Sequence, residues 1–435
     1  MKYFSTNNKF HITGFEEAVI NGLAPDGGLY MPARIPVLEK SFIENITSYS
    51  LIDIAQLIIE NFTESEIPQK DLKEIIEKAF IFPAPLHSLD KNTYVLELFH
   101  GPTLAFKDFG ARFMARTMEY FVRKRNMELN ILVATSGDTG SAVANGFYDV
   151  EGINVFILYP SNKVSFIQEK QLTTLDKNVV ALEIDGTFDD CQRLVKEAFV
   201  NKSINEKLNL SSANSINIAR LLPQSIYYFE AYKQLIDKNC KTIFSVPSGN
   251  LGNLTAGLFA FKMGLPVHKF IGATNSNKVF TDYLNTGNFL PTASRKTYSN
   301  AMDVGNPSNI ERILNLYSNE LFDIRKDIYS LSFNDFNTLE GMKEVYDKFN
   351  YIIDPHGAIG YQAAKNKLNS TESELFNTII LETAHPSKFN DIVEKALGFE
   401  VEIPDRLKEC LNKEKHSTQL SNKFEDLKNY LLSKQ

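Results

Sequence analysis

Cysteine is scarce in this chain. Only three of the 435 residues are cysteines, Cys191, Cys240 and Cys410, and they are odd in number, far apart and without the spacing of metal ligands. This pattern excludes a disulfide framework, indicates no metal site and is typical of proteins from a reducing compartment. We therefore expect a cytoplasmic protein.

An excess of basic residues and long apolar runs are absent as well. The formal net charge is -7 and no basic stripe stands out, which argues against a nucleic-acid partner. No apolar run reaches the length of a membrane span, and the first residues, MKYFSTNNKF, contain no signal-peptide core. The length and the 43% content of hydrophobic residues predict sizeable cores in two or three domains.

Short apolar runs alternate with helical patterns from residue 93 onward. The predicted strands are 94–98, 131–134, 155–159, 179–184, 243–246, 270–273 and 378–381, and the helical patterns include 190–200, 216–236, 254–263 and 389–397. Residues 1–95 are mainly helical, with patterns at 15–23, 51–59 and 72–80. Such alternation is typical of α/β proteins whose parallel sheets are covered on both faces. Ligands of these sheets bind at the carboxyl ends of the strands.

Lys107 stands where an apolar turn gives way to a helix. It follows residues 104–106, LAF, and precedes apolar residues at helical spacing, among them Phe109, Phe113 and Phe121. The positive end of a helix dipole and apolar neighbours both favour a neutral amine, and a neutral amine can form a Schiff base with an aldehyde. A solvated lysine in the first helical turn is the alternative, which this stretch alone does not exclude.

Two loops that follow strands have the composition of anion sites. Residues 135–141, TSGDTGS, offer glycines, hydroxyls and helix-start amides to a carboxylate or a cofactor oxygen, although an ordinary capped turn explains them equally well. Residues 247–257, PSGNLGNLTAG, open a helix with amides that can cradle a phosphate. This second loop matches neither a Walker A sequence nor GxGxxG. It therefore favours a single cofactor phosphate over a nucleotide.

Three further segments carry candidate ligand groups. Residues 161–165, SNKVS, and 212–220, SANSINIAR, offer hydroxyls, amides, Lys163 and Arg220, which together suit a second phosphate. Each segment alone is more typical of a helix cap with a solvated cation. In residues 381–389, LETAHPSKF, Thr383 can hydrogen-bond a ring nitrogen or cap the next helix. His100, His356 and His385 have no assignable role.

Together these segments resemble the threonine synthase family, pyridoxal-phosphate enzymes of the tryptophan-synthase-β type of fold. The matching segments are HGPTLAFKDFGARFMA, ATSGDTGSAVA, SANSINIARLLPQ, VPSGNLGNLTAG, SNAMDVGNPSN and TAHPSKF, with NGLAPDGGLY and IFPAP nearer the N-terminus. They follow the expected order over nearly the whole chain. HGPTLAFKDFG is highly specific, whereas SGDTG and SGNLGN are shared more widely among relatives with other reactions.

The resemblance implies an α/β fold of two doubly wound, mostly parallel sheets, which is fold type II of the pyridoxal-phosphate enzymes, together with a helical N-terminal region. The implied units are the N-terminal region at residues 1–95, a smaller α/β domain at 96–225 with Lys107, and a larger α/β domain at 226–435 with the phosphate loop.

The resemblance also implies a role for each loop. Lys107 would be the catalytic Schiff-base lysine of pyridoxal 5'-phosphate. The other cofactor contacts would be Gly249, Asn250, Leu251, Gly252 and Asn253 at the phosphate, Thr383 at the ring nitrogen, and Ser136 and Asp138 near the phenolic oxygen. The substrate O-phospho-L-homoserine would be bound by Thr135, Gly137 and Thr139 at its carboxylate and by Ser161, Lys163, Ser215, Asn217 and Arg220 at its phosphate, with Arg112 a further candidate. Asn253 stands where some relatives have an acidic residue.

The implied reaction is the final step of threonine biosynthesis, in which O-phospho-L-homoserine and water give L-threonine and phosphate. Three alternatives stay open: a related phospho-lyase, a threonine or serine dehydratase, and a non-catalytic relative of the same fold. The missing nucleotide fingerprints argue against an ATP- or NAD-binding protein. We expect a monomer or homodimer without nucleic-acid or membrane partners.

Overall fold

The N-terminal region combines a small antiparallel sheet with short helices. The computed structural model describes residues 1–369 and 376–434. Its first elements are β1 (Tyr3–Ser5), β2 (Ile12–Thr13), α1 (Phe15–Asn21), β3 (Tyr30–Pro32), α2 (Lys40–Glu44), α3 (Leu51–Thr63) and α4 (Gln69–Ala79), with the strand order β2-β1-β3. A capping box starts α3, because the Ser50 hydroxyl accepts from the Asp53 N–H and the Asp53 carboxylate accepts from the Ser50 N–H. The three helices predicted here are confirmed.

Beyond α4, strands and helices alternate as the sequence pattern predicts. The elements are β4 (Leu86–Ser88), β5 (Thr93–Glu97), α5 (Lys107–Arg125), β6 (Leu129–Ala134), α6 (Asp138–Gly146), β7 (Ile153–Pro160), α7 (Phe166–Thr173), β8 (Val179–Asp185), α8 (Phe188–Val200), α9 (Lys202–Asn205), β9 (Leu210–Ser211), α10 (Ile218–Leu221), α11 (Ile226–Gln234), β10 (Lys241–Pro247), α12 (Gly252–Lys262), β11 (Lys269–Thr274), α13 (Val279–Thr286), α14 (Ile310–Leu316), α15 (Leu321–Asp327), β12 (Ile328–Ser332), α16 (Asp335–Phe349), α17 (Pro355–Asn369), β13 (Phe376–Glu382), α18 (Asn390–Leu397), α19 (Asp405–Leu411), β14 (Thr418–Ser421) and α20 (Phe424–Leu432). All seven predicted strands are confirmed, whereas the pattern did not indicate β4, β9, β12 and β14.

The prediction of one continuous helix at 216–236 is wrong. The structure has α10, a 3-10 turn at Leu222–Ser225 and then α11, which ends at Gln234. Pro223 lies in the turn. Because proline has no backbone N–H and its ring crowds the preceding turn, a regular α-helix does not continue through it. Within the described ranges, no helix combines the length and the apolar character needed to cross a bilayer.

Two larger sheets form the body of the protein. One has six strands in the order β12-β11-β10-β13-β5-β4, all parallel except for β4, which pairs antiparallel with β5. The other has five parallel strands in the order β14-β8-β7-β6-β9. Phe109, Phe113 and Phe121 of α5 are fully buried in the core that joins both sheets to the N-terminal region. The predicted α/β class and the apolar face of this helix are confirmed.

The sheet membership of two strands departs from the predicted units. β5 straddles the boundary predicted at residue 95 and belongs to the six-stranded sheet. Residues 418–421 were assigned to the larger unit at 226–435, but they form β14, which pairs with β8 in the five-stranded sheet. The chain returns there because Leu427 and Leu431 of α20 are buried in the core of that sheet. The remaining boundaries stay predictions.

Candidate active site

A cavity of about 280 Å³ lies at the carboxyl ends of the strands of both larger sheets. Loops that follow β10 and β13 of one sheet and β6 and β9 of the other line it, which is the usual place for ligands of open α/β sheets. The predicted site residues in its lining are Lys107, Thr135, Ser136, Thr139, Ser215, Arg220, Gly249, Asn250, Leu251, Gly252, Asn253 and Thr383. The fold thus brings most of the predicted site residues together.

Lys107 is the first residue of α5, and its side chain faces the cavity. It is partly accessible there, but it lies deep in the protein, and this desolvation lowers the pKa of its amine to about 8. The Asp138 carboxylate raises this pKa, whereas Arg220 and Lys388 lower it. An appreciable fraction of the amine is therefore neutral near neutral pH, as both Schiff-base formation and proton abstraction require.

The loop before Lys107 is joined to the end of β13. The Phe106 N–H donates to the Thr383 carbonyl at 2.9 Å, and the His385 N–H donates to the Leu104 carbonyl at 3.0 Å. Thr383 is only 6% exposed and lines the cavity. These bonds fix the backbone of Lys107 beside Thr383, so that one ligand can contact both side chains.

The loop after β6 is organised by Thr135. Its Oγ1 accepts from the N–H groups of Gly137 at 3.0 Å and Gly140 at 2.8 Å. Gly137 has a φ of 146°, and a Cβ there would lie 2.5 Å from the Gln168 side chain, so that this turn requires glycine. Asp138 follows, and its Oδ1 accepts from Gln168 at 2.9 Å. Thr135, Ser136 and Thr139 line the cavity, whereas protein groups engage the Asp138 carboxylate.

The loop after β10 is packed closely against its neighbours. A Cβ on Gly249 would lie 2.7 Å from the Met302 Cα, and Leu251 adopts a left-handed φ of 60° as the chain turns into α12. Asn250 secures the loop, since its Nδ2 donates to Ser215 Oγ at 2.5 Å and its Oδ1 accepts from the Ser308 N–H at 2.6 Å. The N–H groups at the start of α12 are thereby held at the cavity, where the helix dipole favours a phosphate.

In the side-chain amide of Asn253, the oxygen has hydrogen-bond partners, whereas the nitrogen has none among the described residues. Its Oδ1 accepts from the hydroxyls of Tyr227 at 2.6 Å and Tyr228 at 2.8 Å. Its Nδ2 is buried and has no partner among the residues that the structure describes. The amide oxygen therefore does what a carboxylate oxygen would do at this position, while the buried amide nitrogen of this cavity-lining residue is a donor without a partner in the described chain.

Arg220 brings a buried cation to the cavity. It is 3% exposed, and its Nη1 donates to the Ala213 carbonyl at 2.6 Å. Its Nε has no hydrogen-bond partner in the described ranges. Burial lowers the pKa of the guanidinium to about 10, against the opposite effect of Asp108. Arg220 lines the cavity, and a guanidinium there suits a phosphate or a carboxylate.

The predicted residues Ser161 and Lys163 bond to the next strand end. The Ser161 hydroxyl donates to Glu183 Oε1 at 2.7 Å, and Lys163 Nζ donates to the Gly186 carbonyl at 3.0 Å. Neither residue lines the cavity. The loop after β7 is therefore held against the end of β8.

Asn217 and Arg112 are also engaged away from the cavity. Asn217 caps α10, as its Oδ1 accepts from the Ala219 N–H at 3.0 Å, and its Nδ2 donates to the Val19 carbonyl at 2.9 Å. Arg112 Nε donates to the Ala79 carbonyl at 2.9 Å, at the end of α4. Arg112 lies about 140° around the helix from Lys107. This angle explains why its side chain reaches α4 and does not line the cavity.

Lys388 is a buried lysine that the sequence pattern did not single out. Its side chain has no exposed surface, its Nζ lies 2.6 Å from Asp138 Oδ1, and it donates to the Thr103 carbonyl at 3.0 Å. The available signal was its place in TAHPSKF, directly after a strand end. Its partner Asp138 lies far away in the sequence.

Arg312 holds the loop after β10 in place, and the sequence pattern did not indicate this residue either. It is fully buried on α14 and donates to Asn309 Oδ1 at 2.7 Å and to the Ser215 carbonyl at 3.2 Å. Asn309 Nδ2 in turn donates to the Asn250 carbonyl at 3.1 Å. Burial lowers the pKa of the guanidinium to about 9. This chain of bonds fixes the loop that presents the N–H groups of α12.

His356 lines the cavity, unlike the two other histidines considered above. Its Nδ1 lies 3.0 Å from Asp354 Oδ1, and its Nε2 accepts from the Ala301 N–H at 3.3 Å. The proton of the neutral ring therefore belongs on Nδ1. His100 and His385 each bond to a side chain two or three positions away.

Family models match the chain in three adjoining parts. A model described as pyridoxal-phosphate dependent enzyme matches residues 78–379. Models described as threonine synthase N terminus and threonine synthase, C-terminal match residues 2–80 and 357–431. Together they extend over nearly the whole sequence.

Individual relatives match over the full length. The threonine synthase of Haemophilus influenzae is 44% identical over 419 residues, which is 96% of each chain. The crystal structure of threonine synthase from Escherichia coli has a TM-score of 0.93 at 40% identity and covers 100% of both chains. The structure of pyridoxal-phosphate-bound threonine synthase from Brucella melitensis has a TM-score of 0.92 at 36% identity, over 99% of this chain and 98% of that one.

Proposed function

The chain belongs to the threonine synthase family, and from this membership we propose its substrate and the task of each residue in the cavity. It is a pyridoxal-phosphate-dependent lyase with the activity of that family. We propose that it converts O-phospho-L-homoserine and water to L-threonine and phosphate. The observation that carries the proposal is an amine with a lowered pKa, Lys107, in one cavity with the incompletely satisfied guanidinium of Arg220.

The residues of the cavity fit pyridoxal 5'-phosphate. The buried Asn253 Nδ2 lacks a protein partner in the described chain, and the N–H groups that start α12 lie beside it, which together suit the cofactor phosphate. Thr383 would offer its hydroxyl to the ring nitrogen, and Lys107 would offer its amine to the aldehyde. When bound, the cofactor delocalises the electron pair that remains when the substrate α carbon loses a proton.

Lys107 is the group that moves this proton. Its Nζ is the titratable amine of the cavity, and a pKa of about 8 lies close to the working pH, where general acid–base catalysis is most effective. Ser136 and Thr139, with Thr135 behind them, would hold the substrate carboxylate at the start of α6. This placement would orient the α carbon toward Lys107.

Arg220 is the proposed phosphate-binding residue. Arg220 of α10 lines the cavity together with Ser215, and its buried Nε has no hydrogen-bond partner among the described groups. A cation held in place before the reaction stabilises the negative charge that develops on the departing phosphate. Ser161, Lys163, Asn217 and Arg112 are left out of the proposed site, because each has protein partners away from the cavity.

The proposed setting is the cytoplasm, with a monomer or homodimer as the working form. The three cysteines are free, and Cys191 is buried, which is typical of proteins that fold in a reducing compartment. Light scattering on the purified protein would distinguish monomer from dimer. Fractionation of cells that express the protein would test the location.

An absorbance spectrum of the purified protein, followed by product analysis with O-phospho-L-homoserine, tests the proposal. We expect a yellow protein that releases threonine and phosphate in equal amounts. Release of phosphate with 2-oxobutyrate would assign the protein to the phospho-lyase alternative. Turnover of unphosphorylated threonine or serine at a higher rate would identify a dehydratase and leave Arg220 without its proposed task. A protein that binds the cofactor but turns over none of these substrates would be a non-catalytic relative.

A further inference from the structure

The buried charges around Lys107 form a cluster that joins both sheets. Asp138 starts α6 after β6 of the five-stranded sheet, and Lys388 follows β13 of the six-stranded sheet. Lys388 Nζ lies 2.6 Å from Asp138 Oδ1 and 3.0 Å from the Thr103 carbonyl. Gln168 donates to the same Asp138 oxygen at 2.9 Å. Lys388 therefore contacts the segment that leads to Lys107 and the carboxylate that faces it.

One carboxylate, Asp138, and two cations, Arg220 and Lys388, act on the Lys107 amine, and a second carboxylate, Asp108, acts on both of those cations. Asp108 is fully buried, and burial raises its pKa to about 6, so that it is ionised at neutral pH. Burial opposes ionisation of Asp138 as well, but Lys388 and Lys107 hold the pKa of this carboxyl well below its usual range. Arg220 and Lys388 balance the two carboxylates. Three cations thus share two carboxylates, and it is Lys388, not Lys107, that forms the ion pair with Asp138.

Charged and titratable groups on adjacent elements leave this balance intact. Arg112 acts on Asp108 but is bonded to carbonyls at the end of α4. Burial lowers the pKa of His385 to about 4, so that it is neutral. Arg406 donates to the carbonyls of the segment before Thr103.

We propose that Lys388 is a positioning residue for the Lys107 amine, because it holds and neutralises the Asp138 carboxylate and so leaves Lys107 as the cation of the cluster that most easily loses its proton. The inference rests on the proposed role of Lys107. Without Lys388, Lys107 is the buried cation that acts directly on Asp138, and the carboxylate stabilises its ammonium form.

Lys388→Met removes the charge and keeps the length of the side chain. In cofactor-free protein, competitive labelling of Lys107 with acetic anhydride, read by peptide mass spectrometry from about pH 6 to about pH 10, measures the pKa of its amine. We expect the titration midpoint of the Lys107 amine to rise by about one pH unit or more, and cofactor uptake at neutral pH to slow about tenfold or more. Lys395→Met, on the exposed side of α18, is the matched control and leaves both unchanged.

Asp138→Asn should shift the pKa of the Lys107 amine in the opposite direction. It leaves the Lys388 ammonium near Lys107 without its counter-charge, so that the titration midpoint of the Lys107 amine falls. The double variant Asp138→Asn/Lys388→Met returns it toward the original value. These two variants also carry the test if Lys388→Met does not fold.

A Lys107 midpoint that neither single variant moves, in folded protein, would overturn the inference. The labelling needs neither cofactor nor substrate, so its result is separate from the test of the proposed function. If the unmodified protein makes no threonine, the proposed function fails, while the midpoints still report on the relation between Lys388 and Lys107.

Discussion

The Phe106 N–H donates a 2.9 Å hydrogen bond to the Thr383 carbonyl oxygen. This bond fixes the residue before Lys107 to the residue that follows β13, although the two segments lie far apart in the sequence. The amine and the hydroxyl proposed to contact opposite ends of one cofactor ring are therefore positioned by a shared piece of backbone. A cofactor that contacts both is held at a set distance from the strand ends.

Lys107→Ala removes the amine proposed to bind the cofactor aldehyde. We expect the visible absorbance of the bound cofactor to disappear and threonine formation to stop, because Lys107 is the lysine that lines the described cavity. Lys91→Ala, at an exposed lysine, is the control and keeps both properties. A Lys107→Ala protein that makes threonine at the normal rate would refute the assignment.

The rate of cofactor uptake should depend on pH through Lys107. Desolvation lowers the pKa of this amine to about 8 in the folded protein, so that its neutral, reactive form increases as the pH rises through about 8. Below that value the rate constant should fall about tenfold per pH unit, since the neutral fraction does so. Stopped-flow absorbance with cofactor-free protein measures this, and a rate that is flat between about pH 6 and about pH 9 would contradict it.

The site residues that could be predicted from the sequence are those whose local setting decides their position. A glycine-rich loop after an apolar strand must lie at a sheet end, and both the 135–141 and the 247–257 loops do so. Lys107 could be found for the same reason, because its neighbours in the chain fix it at a helix start.

The remaining site residues depend on partners that the sequence does not indicate. Lys388 and Asp138 meet because β13 and β6, strands of two different sheets, both end near the cavity, and Arg312 on α14 donates to the Ser215 carbonyl. Arg112 was a further candidate for the substrate phosphate that only the resemblance implied. The turn of α5 instead directs it to the carbonyls of α4.

Arg220 and Arg112 should respond differently to loss of their charge. Arg220→Met removes the cation proposed to bind the substrate phosphate, and we expect kcat/KM for O-phospho-L-homoserine to fall by the equivalent of about 2–5 kcal/mol. Arg112→Met removes bonds to two carbonyls, so that the free energy of unfolding falls by about 1–3 kcal/mol while kcat/KM changes little. Steady-state kinetics and urea unfolding on both variants measure this. Equal kinetic losses would argue against the assignment of Arg220.

Two substitutions of Asn253 distinguish the contribution of its amide oxygen to stability from that of its amide nitrogen to cofactor binding. Asn253→Leu leaves the hydroxyls of Tyr227 and Tyr228 buried without their acceptor, and each unsatisfied hydroxyl costs about 1–3 kcal/mol of folding free energy. Urea unfolding should therefore show a loss of about 2–6 kcal/mol in cofactor-free protein. Asn253→Asp keeps an oxygen acceptor for both tyrosines, so that most of this stability is retained. Both variants lose the Nδ2 donor, and we expect both to bind pyridoxal phosphate more weakly in a titration followed by absorbance.

If Asn253→Asp is as unstable as Asn253→Leu, the two tyrosine bonds do not stabilise the fold. If both bind the cofactor normally, the free amide nitrogen does not contact its phosphate.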